Sequence, residues 1–283
     1  MMKVTDYVEI FNDTQKLYTE DSELIESLEF SKKNVKFYGA DDYPEISRSG
    51  YKKGEITISK NRTFQAVMNL HSEFPSKKIA VLNFASATHP GGGVLHGAKA
   101  QEESLCRCST LYPTLNTPDN WRDYYNVNRE NGSPLHSDAC IYSPKITIFK
   151  SDERYPEVMD RKDWVTADVI TCAAPNLYYK PYSWNNPETG KLMNMDYEEL
   201  LMLHMKRARH ILTVAVVNNV DILILGAFGC GAFRNDPDTV AKAYKNVIEE
   251  YRNYFDRIEF AIFCRDYENR NYSAFRKALL GEE

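Results

Sequence analysis

Two short, near-continuous apolar runs constrain this chain more than any other feature. Ile79-Ala80-Val81-Leu82-Asn83-Phe84 leads to Pro90-Gly91-Gly92-Gly93. Asp221-Ile222-Leu223-Ile224-Leu225 runs directly into Gly226-Ala227-Phe228-Gly229-Cys230-Gly231-Ala232-Phe233. Apolar side chains at successive positions of so short a run predict a strand buried on both faces. A helical pattern follows each loop, at 98–111 and again from Asp236-Pro237. There Val240, Ala243, Tyr244, Val247, Ile248 and Tyr251 keep helical spacing. Strand, glycine loop and helix make half of an α/β unit.

The remaining periodicity extends this reading. Lys36-Phe37-Tyr38, Ile56-Thr57-Ile58 and the segments 146–149, 169–173 and 258–264 read as strands. Helices are expected within the polar first 50 residues, where Leu24, Ile25, Leu28 and Phe30 form a partial stripe, and at 197–217 and 272–280. Another runs through Phe64, Val67, Met68 and His71, with Asn61 and Thr63 as caps. The polar stretch 117–137 reads as a surface excursion, and 178–195 as a long loop of the kind that often carries function. Alternating strands and helices predict an α/β fold, a mixed sheet with helices on both faces. Residues 1–60 are expected to form an elaboration packed on a core at 61–283, one structural domain overall.

Net charge is −5. Phosphate-backbone attraction is therefore weak, and general binding to duplex nucleic acid is not expected. A site for an anion must be built locally from backbone N–H groups and a few cations. Neither a signal peptide nor a membrane helix of ~20 apolar residues is apparent, so a cytoplasmic enzyme is expected. The six cysteines (106, 108, 140, 172, 230 and 264) are scattered and read as free, mostly buried thiols. Cys106-x-Cys108 lacks a second close pair, and the six histidines lack ligand spacing, so no metal is expected.

In open α/β sheets ligands bind beyond the carboxyl ends of the strands, where both glycine loops lie. Glycine lets the backbone approach an anion closely. Either loop alone could be a tight strand-to-helix turn; two together could clasp a diphosphate. Neither matches a P-loop or the G-x-G-x-x-G dinucleotide fingerprint, which disfavours kinases, ATPases and NAD-dependent dehydrogenases. Gln101, Glu102 and Glu103 follow the first loop at the start of its helix. Acidic residues there suit the helix dipole, an ordinary structural role worth up to ~1 kcal/mol. Two adjacent carboxylates also repel, which raises the proton affinity of one, and a bound diphosphate would add to that. A protonated carboxyl can donate to a leaving oxygen. Adjacent helical residues point ~100° apart, so the two glutamates have different roles.

Gly91-Gly92-Gly93, seven residues, then Gln101-Glu102-Glu103 resembles the signature of poly(ADP-ribose) glycohydrolases. The surrounding VLNFASATHPGGGVLHGAKAQEESLCRCSTLYPTL is similar to the microbial-type branch. LGAFGCGAFRNDP resembles its second phosphate-binding loop, and AAPN at 173–176 also fits. The likeness runs from about Ile79 to Cys264. It implies a macrodomain-like three-layer α/β/α sandwich, hydrolysis of ribose–ribose bonds in poly(ADP-ribose), and no cofactor. The expected partner is ADP-ribose polymer or an ADP-ribosylated macromolecule as substrate. By resemblance Glu103 is the acid/base and Glu102 holds ribose oxygens. Gly91, Gly92, Gly93, Gln101, Ser86, Gly229, Cys230, Gly231, Ala232 and Phe233 are the substrate-binding candidates. The glycine loops would offer N–H groups to the diphosphate, and Phe233 would order the distal ribose. The animal-type branch has asparagine where Ser86 stands. Tyr178, Tyr179, Tyr182 and Phe149 are candidates to stack adenine. A hydrolase for mono-ADP-ribosyl links, or a non-catalytic ADP-ribose reader, are the alternatives; the intact Gln-Glu-Glu argues against the reader.

Overall fold

The computed structural model describes residues 4–282 apart from 48, 51, 53, 179–194 and 266. Tyr179, Tyr182 and most of the expected 178–195 loop thus lie outside the described residues. Seven strands form one sheet: β1 (Lys36–Tyr38), β2 (Glu55–Ser59), β3 (Ile79–Phe84), β4 (Cys140–Ile148), β5 (Val165–Cys172), β6 (Ile222–Leu225) and β7 (Arg257–Ala261). Their order is β1-β4-β5-β3-β6-β7-β2. β5, β3, β6, β7 and β2 are parallel, and β4 is antiparallel to both its neighbours. The helices are α1 (Val4–Glu20), α2 (Ser22–Lys33), α3 (Thr63–Glu73), α4 (Gln101–Cys108), α5 (Leu111–Leu115), α6 (Pro118–Asn120), α7 (Asn126–Asn131), α8 (Tyr197–Val217), α9 (Pro237–Tyr251) and α10 (Arg270–Leu280).

The two apolar runs are continuous because each serves two cores. Ile79, Val81, Ile222 and Ile224 meet Phe64, Val67 and Leu70 of α3 and Leu105 of α4 on one face. Ala80, Leu82, Leu223 and Leu225 meet Ile211, Leu212, Val240, Tyr244 and Val247 of α8 and α9 on the other. Period-two alternation thus sends every second side chain to opposite helical layers, giving an α/β/α sandwich.

Several local expectations change. The first sixty residues supply both edge strands of the sheet, β1 and β2. The N-cap of α3 is Arg62, not Asn61 or Thr63; its N–H donates to Gln65 Oε1 at 3.1 Å. The helix expected at 98–111 spans only Gln101–Cys108, because Ser109 turns extended and bridges to Ile148. The 117–137 stretch is not a surface excursion alone. It forms α6, a π-helical turn at Trp121–Tyr125 and α7, and Tyr124 and Tyr125 are fully buried against each other at 5.0 Å. Phe149 is also fully buried, beside Trp164 and α2, which removes it as a base-stacking candidate.

Candidate active site

A cavity of about 620 Å³ opens at the carboxyl ends of the parallel strands. Each of those strands contributes to it: Arg62 and Thr63 follow β2, Ser86 follows β3, Ala174 and Asn176 follow β5, Phe233 follows β6, and Phe263 follows β7. The first turn of α4 adds Gln101, Glu102 and Glu103. Of the expected binding residues, Ser86, Gly92, Gln101, Gly229, Gly231, Ala232 and Phe233 line this cavity together with both glutamates. Gly91, Gly93 and Cys230 are not among its lining residues.

The two carboxyls are held differently. Glu102 is 2% exposed and its oxygens are engaged: Oε2 accepts the Ser86 N–H at 2.7 Å and Oε1 the Asn83 amide at 3.2 Å. The Gly91 N–H adds a third donor. Burial, then the adjacent Glu103 carboxylate, outweigh these donors and push the Glu102 carboxyl up to about 8. Glu103 is 6% exposed. Its Oε1 accepts the Gly93 N–H at 2.9 Å, and its buried Oε2 has no partner among the described residues. An unmatched carboxylate oxygen at a cavity wall is costly unless it serves a ligand.

The triple glycine has a purpose other than the expected one. The Gly92 N–H donates to His89 O at 3.1 Å, while Gly91 and Gly93 donate to the two glutamates. The Gly91 and Gly93 N–H groups thus point inward to the carboxyls, and that of Gly92 closes the turn, rather than facing a diphosphate. Gly92 has φ +55, and a Cβ there would stand 2.6 Å from Glu103 Oε1 and 3.0 Å from Glu102 Oε2. Only glycine lets the loop close over both carboxyls.

Gln101 is a brace. Its amide nitrogen donates to Leu82 O at 2.8 Å and Thr63 Oγ1 at 3.1 Å, and its Oε1 accepts the Phe84 N–H at 2.9 Å. These bonds occupy the amide and tie α4 to the end of β3. Ser86 Oγ accepts the N–H groups of Thr88 and His89 at 3.3 and 3.2 Å, shaping the turn.

The second loop keeps its donors. Its turn is closed by Cys230 N–H to Ala227 O and Arg234 N–H to Gly231 O. Among the described residues, the N–H groups of Gly231, Ala232 and Phe233 have no acceptor. Asn235 braces the loop, its amide nitrogen donating to Gly229 O at 3.0 Å and Pro175 O at 2.7 Å. Gly229 has φ +76, and a Cβ there would strike Asn235 Nδ2 at 2.6 Å. Phe228 is buried against Phe84 and His204, a core residue.

Sequence reasoning missed Arg62, Asp152, His136 and Phe263. Phe263 is 53% exposed at the cavity rim, with the Arg62 guanidinium 4.2 Å from its ring centre. Asp152 Oδ2 accepts the Phe64 N–H at 2.9 Å, and burial raises its carboxyl. Arg62 follows a strand and looked like a helix flank, while Phe263 looked like the end of one. Among the described residues, no group of three or more His, Cys, Asp or Glu side chains converges as metal ligands would. No described helix is long and apolar enough to cross a membrane.

Known proteins share this fold. The family model described as microbial-type PARG, catalytic domain, matches residues 6–151. No curated protein matches the chain. The poly(ADP-ribose) glycohydrolase of Deinococcus radiodurans, solved in complex with ADP-ribose, is 33% identical with a TM-score of 0.76. That match covers 90% of this chain and 97% of the other. The enzyme from Thermomonospora curvata, bound to the inhibitor ADP-HPD, is 25% identical with a TM-score of 0.81, covering 96% and 99%. The chain belongs to the microbial-type poly(ADP-ribose) glycohydrolase family.

Proposed function

We propose that this chain hydrolyses the ribose–ribose O-glycosidic bond of poly(ADP-ribose), with Glu103 transferring the proton. One observation carries the assignment of Glu103 over Glu102: Oε2 of Glu103 is unpartnered at the cavity wall, whereas both Glu102 oxygens are taken. Glu103 donates a proton to the leaving ribose oxygen as the glycosidic C–O bond breaks and the sugar carbon gains oxocarbenium character. Its carboxylate then takes a proton from water as the water oxygen bonds that carbon, which restores the acid. Glu102, buried and neutral near pH 7, accepts from ribose hydroxyls through the lone pairs that Ser86 and Asn83 leave open.

The unpaired N–H groups of Gly231, Ala232 and Phe233 receive the diphosphate. Phe263, capped by Arg62, offers the adenine a stacking face. The six free cysteines support a reducing, cytoplasmic setting.

Labelled poly(ADP-ribose), followed by product sizing, tests this reading. The wild-type chain is expected to release ADP-ribose. Glu103→Gln should lower turnover about a thousandfold while ADP-ribose still binds. Retained turnover in that variant would overturn the role of Glu103. Cleavage of mono-ADP-ribosylated protein with no action on polymer would overturn the substrate.

A further inference from the structure

His136 sits in a turn between α7 and β4, on the cavity wall, with its ring centre 5.6 Å from that of Phe233. Its backbone is left-handed, φ +58. That conformation costs a side-chain-bearing residue about 1 kcal/mol or more, and glycine would relieve it. The side chain is therefore a candidate for the reason the strain is kept.

The turn is held from several sides. Arg207 of α8, fully buried, donates to the carbonyls of Leu135, His136 and Ala173 and pairs with Asp138 at 2.7 Å. Asn176 N–H donates to Pro134 O at 2.7 Å, and Ser137 N–H to Asn128 Oδ1 at 2.9 Å. Little freedom remains for the imidazole to leave the cavity wall.

Its tautomer follows from its partner. Nδ1 lies 2.8 Å from Ala174 O, which can only accept, so Nδ1 carries the hydrogen. Burial lowers the imidazole to about 4, so the ring is neutral. Nε2 is then a bare lone pair, buried and without a partner among the described residues. A lone pair repels phosphate oxygens, which only accept, and attracts hydroxyls. The His136 acceptor and the N–H donors of the second loop thus face the same cavity close together, which suits a ligand carrying both hydroxyls and phosphate oxygens.

We infer that His136 Nε2 accepts a hydrogen bond from a ribose hydroxyl of the bound substrate beside Phe233, making His136 a specificity-determining residue that reads the sugar. This rests on the ADP-ribose reading above.

The test measures binding of ADP-ribose and its 2″-deoxy and 3″-deoxy analogues by calorimetry, with full-length wild type, His136→Asn and His136→Gln. Asparagine keeps a donor for Ala174 O but has no atom at Nε2; the glutamine carbonyl reaches that position. His136→Asn is expected to bind ADP-ribose about tenfold more weakly, and His136→Gln to recover part of the loss. One deoxy analogue should bind wild type about tenfold more weakly than ADP-ribose and lose nothing further in His136→Asn. Equal ADP-ribose affinity in wild type and His136→Asn would overturn the inference. So would analogue losses identical in both proteins, which mark a merely structural histidine. If His136→Asn fails to fold, the wild-type affinities for the two deoxy analogues decide alone, and indifference to both deletions overturns the inference. Failure of wild type to bind ADP-ribose would overturn the functional reading instead, before any variant is compared.

Discussion

Replacing Glu102 by glutamine should stabilise the protein while disabling its site. The Glu102 carboxyl has an ordinary value of 4.5 and is pushed up to about 8 in the fold. Between those values the unfolded chain has released the proton and the folded chain still holds it. Wild-type stability therefore falls as pH rises from about 4.5 to about 8 and is level beyond. Each tenfold change in proton affinity is worth about 1.4 kcal/mol, so the full loss is at most about 5 kcal/mol. Glutamine is neutral throughout and escapes this loss. It can also use the same surroundings. Asn83 Oδ1 is buried without a partner, so a flipped Asn83 amide could accept from the new glutamine, while its carbonyl still accepts from Ser86. The lost partner of Gly91 costs about 1 kcal/mol. Urea unfolding of both proteins at pH 5, 7 and 9 reads the effect. The variant's advantage should grow with pH by about 3 to 5 kcal/mol, because contributions of other groups cancel in the difference. A stability difference that does not change with pH would refute the buried, protonated Glu102.

Three further outcomes follow from the geometry. Gly92→Ala places a methyl between the two carboxyls at φ +55, so turnover should fall about a hundredfold, measured with labelled polymer. Phe263→Ala removes the exposed ring at the rim, and ADP-ribose affinity should fall about tenfold with kcat nearly unchanged, read by calorimetry and steady-state kinetics. Asp236 caps α9 by accepting the Thr239 N–H at 2.9 Å, so Asp236→Ala should cost about 1 kcal/mol, visible as a lower Tm with no change in ADP-ribose affinity.

Those elements buried on both faces were the easiest to read. β3 and β6 declare themselves because no position along them can be polar without reaching a core, Asn83 excepted, and Asn83 is bound to Glu102 and Thr171. The pairing of a glycine loop with an acidic helix start was likewise visible. The direction of the glycine N–H groups was not, since it depends on φ at Gly91 and Gly92 and on where α4 begins. β4 was underestimated because Pro144 and the left-handed Lys145 (φ +51) interrupt its pattern at a bulge between Ser143 and Ile146. Tyr124 and Tyr125 looked exposed amid polar neighbours, and only their partners from distant strands bury them. His136 gave no signal, because its meaning lies in an Arg207 clamp from another helix.

The pairing of β2 with β7 also bears on how the chain is made. Ile56 lies beside Ile258 and Ile58 beside Phe260, so the outermost parallel strand emerges from the ribosome long before β7, its lateral neighbour among the described strands. Contacts this distant in sequence form late and slowly. The Arg62–Phe263 stack grows from the ends of those same two strands. A nascent chain can therefore assemble the carboxyl pair early, yet the Arg62–Phe263 stack at the cavity rim cannot form until translation has passed β7. Premature termination before that point would leave β2 unpaired and β6 as an open edge of the sheet, prone to association with other chains.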